Sequence, residues 1–121
     1  MPEPTWAGPA GAGHPLLTVT GERLEWGSTL LVVTGELDIA SAPALELELG
    51  RIAHPGDRVT LDMFEVSFVD LIGLRVILGA DRRLRATGGA VKIARPARQA
   101  RRLAELWGVG RRLLAIDPPI R

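Results

Sequence analysis

Apolar residues alternate with polar ones from the start of the patterned region. Leu17 and Val19 alternate with Thr18 and Thr20, a period of two that predicts a strand reaching about Leu24. Glu25-Trp26-Gly27-Ser28-Thr29 reads as a turn, and Leu30–Thr34 as a second, more apolar strand paired with the first in an antiparallel hairpin. Ser41 is placed to cap a helix, with Pro43 tolerated in its first turn and Leu45, Leu49 and Ile52 on its inner face. His54-Pro55-Gly56-Asp57 ends that helix, and Val59, Leu61 and Met63 alternate with Thr60 and Asp62 as a third strand. Asp70 can cap the next helix, where Leu74, Ile77, Leu78 and Leu84 share one side while Arg75, Arg82 and Arg85 face water. After Gly88-Gly89, Ala90–Ala94 is a short strand. Arg95-Pro96 opens a third helix with Ala100, Leu103, Ala104 and Trp107 at helical spacing, and Gly108 closes it. Leu113–Ile116 reads as a weak last strand.

This order of strands and helices predicts one α/β domain with a mixed sheet of four to five strands, an antiparallel N-terminal hairpin at its edge and about three packed helices. With 121 residues and 46% hydrophobic content, a single domain is the expected count. It is assigned to residues 16–117, between an N-terminal tail (1–15) rich in Pro and Gly and a short C-terminal tail (118–121). The start has no basic segment leading into an apolar block, so it does not read as a signal peptide. There is no apolar run of about 18 residues and thus no expected membrane insertion. The chain has no cysteine, which excludes disulfides and thiolate chemistry and fits a cytoplasmic address.

The net charge of +1 conceals an asymmetry. Residues 1–70 hold three arginines against eleven acids, and residues 71–121 hold eleven arginines and Lys92 against three acids. Arg98, Arg101, Arg102 and Glu105 fall opposite the apolar stripe of the third helix, the pattern of a solvated face, and no direct nucleic-acid partner is expected.

Catalytic chemistry is hard to assemble from these residues. His14 lies in the tail and His54 in a loop; none of Ser28, Ser41 and Ser67 sits in a nucleophile elbow; and the tail glycines have no strand before them to make a phosphate loop. Neither an enzyme nor a cofactor site is expected. Glu36, Asp38, Asp62, Glu65 and Asp70 fall at strand ends or loops, where they either gather around a magnesium ion or cap helices and bind loop amides. Leu71 and Ile72 put two large aliphatics in the first turn of a helix, a place that favours polar groups and anions. They are either buried under a loop or exposed as an apolar knob of the kind that marks partner surfaces.

Val33-Thr34-Gly35-Glu36-Leu37-Asp38, Val59-Thr60-Leu61-Asp62 and Ser67-Phe68-Val69-Asp70-Leu71-Ile72-Gly73-Leu74, with Gly88-Gly89 behind them, resemble the STAS domain in order and approximate spacing over about residues 16–117. That is the fold of anti-sigma factor antagonists and of the cytoplasmic domains of sulfate transporters. The resemblance implies a non-enzymatic protein that binds an ATPase-type anti-sigma factor, itself a serine-protein kinase, and so regulates transcription through partner switching. It implies a partner surface of Glu36, Asp38, Ser41, Asp70, Leu71 and Ile72, and leaves a homodimer open. In the family the helix opens Asp-Ser-Ser-Gly-Leu or Asp-Ser-Thr-Gly-Leu, and phosphorylation of the second hydroxyl residue breaks the complex by adding about −1.5 to −2 charge. Here Asp70-Leu71-Ile72-Gly73-Leu74 places Ile72 at the phosphoacceptor position, where no phosphoryl group can attach. Ser67 and Thr87, the nearest hydroxyls along the chain, do not match the site. The alternative implied by the same family is an accessory subunit of a membrane transporter of the lipid-transport ATPase type.

Overall fold

The structure, a computed structural model, describes residues 15–25 and 27–114. Four strands form one sheet: β1 (Leu17–Arg23), β2 (Ser28–Leu37), β3 (Arg58–Val69) and β4 (Ala90–Ala94), in the order β1-β2-β3-β4. β1 runs antiparallel to β2, whereas β2, β3 and β4 are mutually parallel. The edge hairpin and mixed sheet are as the alternating pattern predicts. The helices are α1 (Ala42–Ile52), α2 (Leu71–Arg85), α3 (Arg98–Leu106) and the single-turn α4 (Gly110–Leu113).

The core follows from the period of two in the strands. Leu31 and Val33 of β2, Val59 and Leu61 of β3 and Val91 and Ile93 of β4 are all within 2% of complete burial. Leu45 and Leu49 of α1 and Leu74 and Ile77 of α2 join them in one cluster. Each such side chain contributes roughly 1.5–3 kcal/mol on burial.

Several elements differ from the sequence expectation. β2 and β3 extend well beyond Leu30–Thr34 and Val59–Met63, because register shifts between Val32 and Thr34 and between Gly35 and Glu36 break the alternation on which strand recognition depends. β3 therefore runs seven residues past Asp62, its last partner of β4. At the far end of that unpaired edge, the Gln99 side-chain amide substitutes for a neighbouring strand. It accepts from Val69 N at 2.8 Å and donates to Val69 O at 2.9 Å, fixing the start of α3 to the end of β3.

Ser41 occupies the N-cap position of α1 but makes no side-chain cap. Arg95 and Pro96 precede α3 without entering it, and Arg95 has φ 54°. Trp107 is the C-cap of α3 and is 56% exposed, so it does not belong to the packed stripe of Ala100, Leu103 and Ala104. In place of a strand beginning at Leu113, the chain forms α4, and Leu114 alone makes a parallel bridge to Ile93. Residues 115–116 of that expected strand, the 118–121 tail, Trp26 and residues 1–14 of the N-terminal tail lie outside the described residues. Among the described residues, no helix is long and apolar enough to cross a membrane.

Candidate functional site

The candidate site is where β2 and β3 end and α1 and α2 begin. Asp70 organises it. Its Oδ1 accepts from Gly73 N at 2.8 Å, capping α2 as expected, and its Oδ2 accepts from Ile39 N at 3.1 Å. One carboxylate thus ties the start of α2 to the loop between β2 and α1, and Asp70 N donates to Leu37 O at 3.1 Å in support. Gly73 makes the junction possible: a Cβ there would lie 2.6 Å from Leu37 Cγ and 2.8 Å from Leu37 O, so any side chain would push the helix off the strand.

The loop itself is held by Asp38 and Ser41. Asp38 Oδ1 accepts from Ala40 N at 2.9 Å and Ser41 N at 3.0 Å, an Asx turn that starts α1. The Ser41 hydroxyl accepts from Asp38 N at 3.0 Å and donates its single proton to Glu36 O at 2.6 Å. Ser41 is completely buried, so it shapes the loop from within and presents no atom to a partner.

Large apolar side chains reach solvent at this end of the molecule. Ile72 is 37% exposed, while Leu71 is half-buried against the core. Of the two alternatives posed by the aliphatic helix start, the knob describes Ile72 and the buried reading describes most of Leu71. Ile39 (68% exposed) and Phe68 (43% exposed) add to the same end of the molecule. Ile39 escaped the sequence reading; its signal was a large aliphatic placed between Asp38 and Ala40 in a loop otherwise committed to turn chemistry. Glu36 is half-exposed and aligned with Phe68 across the β2–β3 pairing.

The acids do not gather. Asp62 is taken by Arg95, whose Nη2 and Nε lie 3.0 and 3.3 Å from its two oxygens, and it also accepts from Phe64 N at 3.1 Å. Arg95 stacks over the Phe64 ring with its guanidinium 4.8 Å from the centroid. Asp38 and Asp70 hold backbone amides, and Glu65 points to solvent. Among the described residues no three His, Asp or Glu side chains are placed to hold a metal ion. The arrangement is built to present a fixed apolar surface framed by carboxylates whose oxygens organise the backbone.

A parallel sheet with one antiparallel edge strand, and a helix opening at the motif around Asp70, define a STAS-type domain. The family model described as "Mlab, STAS domain" matches residues 20–115, and the chain belongs to that family. It is 30% identical to the anti-sigma-B factor antagonist of Bacillus subtilis (strain 168) over 77 residues, 64% of this chain and 71% of that protein. Its fold superposes on the crystal structure of an anti-sigma factor antagonist from Mycobacterium paratuberculosis with TM-score 0.70 at 26% identity, covering 87% of this chain and 91% of that one. The anti-sigma factor antagonist SpoIIAA in its unphosphorylated form shares the fold with TM-score 0.67 at 20% identity, covering 82% and 89% of the two chains.

Proposed function

We propose that this protein is an anti-sigma factor antagonist that binds an ATPase-type anti-sigma factor of the serine-protein kinase family and so regulates transcription indirectly, without a phosphoswitch at the usual position. The observation that carries the reading is Ile72: it stands at the second position of α2, exposed, on a helix start clamped by Asp70 and Gly73. A branched aliphatic there cannot receive a phosphoryl group, but its 37% exposed surface can be desolvated against a partner, which is worth roughly 0.5–1 kcal/mol. Leu71 supports the knob from below, Glu36, Asp38 and Asp70 frame it, and Ser41 holds the loop that carries Ile39. Control would then come from synthesis of the protein or from competition with other antagonists.

A second reading keeps the same surface and changes the partner: an accessory subunit clamped to a lipid-transport ATPase. The lack of an acceptor hydroxyl favours it, because a permanent structural contact needs no phosphorylation.

One capture experiment separates the readings. Tagged wild type and Ile72→Asp are expressed in the source cell, and partners are identified by mass spectrometry. Recovery of an ATPase-type anti-sigma factor with wild type, reduced at least tenfold by Ile72→Asp, is the expected outcome; tenfold corresponds to about 1.4 kcal/mol. Transport ATPase subunits recovered in its place transfer the protein to the second reading. Equal recovery of the anti-sigma factor by both forms removes Ile72 from the interface.

A further inference from the structure

The C-terminal end of α3 carries a second exposed patch, separate from the site around Ile72. Leu106 is 76% exposed and Trp107 56%, the former being the most exposed of the large hydrophobic residues described. Neither is needed by the fold, since α3 already seals the core with Ala100 and Ala104, aided by Leu103. Gly108, with φ +73°, turns the chain sharply after Trp107 into α4, so the two apolar side chains stand at a corner between two helices.

That corner is flanked by arginine. Arg102 precedes Leu106 by one helical turn and shares its face, and Arg111 is the second residue of α4, just beyond the turn. Glu105 is the only acid between residues 95 and 112. Arg95 and Arg112 are neutralised by Asp62 and Asp81, and Arg101 meets Glu105 only at 3.9 Å. Arg98, Arg102 and Arg111 form no ion pair among the described residues.

We propose that the α3–α4 corner is a peripheral docking surface for an anionic lipid bilayer, with Trp107 and Leu106 entering the headgroup boundary and Arg102 and Arg111 contacting lipid phosphates. The chemistry selects this occupant. An interface of anionic headgroups over acyl chains accepts an exposed leucine, an indole with its polar N–H and guanidinium groups together. A nucleic-acid backbone would use the arginines and stack on the indole, but gains nothing from the most exposed leucine of the molecule. The geometry supports lying on a bilayer, not spanning it. The inference is independent of which protein partner occupies the Ile72 end.

The test is flotation of purified full-length protein with vesicles of phosphatidylcholine alone or of phosphatidylcholine and phosphatidylglycerol at 3:1, in low and high salt. Wild type is expected to float with the anionic vesicles, to remain unbound with the neutral ones, and to release as salt rises. The pair Arg102→Gln/Arg111→Gln is expected to lower the partition coefficient by on the order of tenfold or more. Leu106→Ser/Trp107→Ser, which truncates side chains that are 76% and 56% exposed, is expected to abolish flotation while the variant still unfolds cooperatively in urea as a folded domain. Wild type that fails to float with anionic vesicles overturns the proposal, as does flotation unchanged in Leu106→Ser/Trp107→Ser. So does retention by duplex DNA or single-stranded RNA that exceeds retention by vesicles and depends on Trp107, or a dimer in sedimentation that the same double variant dissociates.

Discussion

Glu48 is the residue most at odds with its surroundings. It lies on the inner side of α1 with 3% of its surface exposed, and its Oε1 has no hydrogen-bond partner. Burial pushes its carboxyl above the usual carboxylate range, with Arg51 opposing that shift only in part. A group whose folded pKa is raised favours the folded state most when protonated, so its penalty grows as pH rises through the folded pKa. Glu48→Met keeps the length of the side chain and removes the stranded polar atom. It is expected to raise the free energy of unfolding by roughly 1–2 kcal/mol near pH 7, the usual cost of an unsatisfied buried polar group. The gain should shrink at about pH 4, where wild-type Glu48 is itself protonated; urea titrations at the two pH values read both effects. A constant gain at both pH values would show that packing, not ionisation, sets the cost. Asp57 has the opposite sign. Its carboxylate, bonded by Arg23 Nη1 at 2.9 Å and Nη2 at 3.3 Å, is held below its usual range, and the stability it supplies is lost as pH falls through that lowered value.

Among the elements, the outer edge of β4 is met by a side chain and by the single Leu114 bridge, and not by a strand. Asp81 of α2 is completely buried; its Oδ1 accepts from Val91 N at 2.9 Å, and its Oδ2 meets Arg85 Nε at 2.8 Å and Arg112 Nε at 3.1 Å. Burial alone would raise its pKa, but the Val91 amide and the two arginines outweigh that and hold it lowered. Asp81→Ala strands the buried Val91 amide and frees α4 from α2, while Arg85 and Arg112 can return to water, so a loss of about 1–3 kcal/mol in chemical denaturation is expected. Arg112→Gln should cost less than about 1 kcal/mol, because that guanidinium is 47% exposed and can return to water. A similar cost for both substitutions would place the stabilisation in the ion pair instead of the amide bond. None of this was visible in the sequence. Asp81 stands in a helix that reads as amphipathic, and its role depends on an edge that only the folded sheet creates. The single turn of α4 is too short to show a period, and its two arginines obscure it further. The long second halves of β2 and β3 were hidden for a different reason, since bulged pairing removes the alternation that identifies a strand. Where the alternation is intact, as in β1 and β4, the boundaries were legible to within a residue. The site was legible in the same uneven way. Asp70 and the aliphatic helix start announced themselves, whereas the burial of Ser41 and the exposure of Ile39 are set by a loop closed across 31 residues of chain by the Asp70–Ile39 bond.

At the scale of the whole molecule, the proposed partner surface and the proposed lipid surface sit at opposite ends of one helix connection. Gln99 pins the first turn of α3 to Val69, the residue before Asp70, and the nine residues of α3 then carry the chain away. At 1.5 Å per residue the seven steps from Gln99 to Leu106 span about 10 Å, the outer limit of the range within which substitutions ordinarily couple. The Arg95–Asp62 pair is the one ion pair among the described residues that joins the acidic first half of the chain to the basic second half. The two surfaces should therefore act as independent sites on a rigid body. Ile72→Asp is expected to weaken partner capture at least tenfold and leave flotation with anionic vesicles unchanged, and Leu106→Ser/Trp107→Ser to weaken flotation and leave partner capture unchanged. Combining all three substitutions should give the sum of the separate effects within about 0.5 kcal/mol. A larger deviation, measured by partner binding in the presence and absence of vesicles, would mean that α3 transmits between its ends, and the Gln99–Val69 bonds would be the first place to look, because they are the side-chain hydrogen bonds that join α3 to β3.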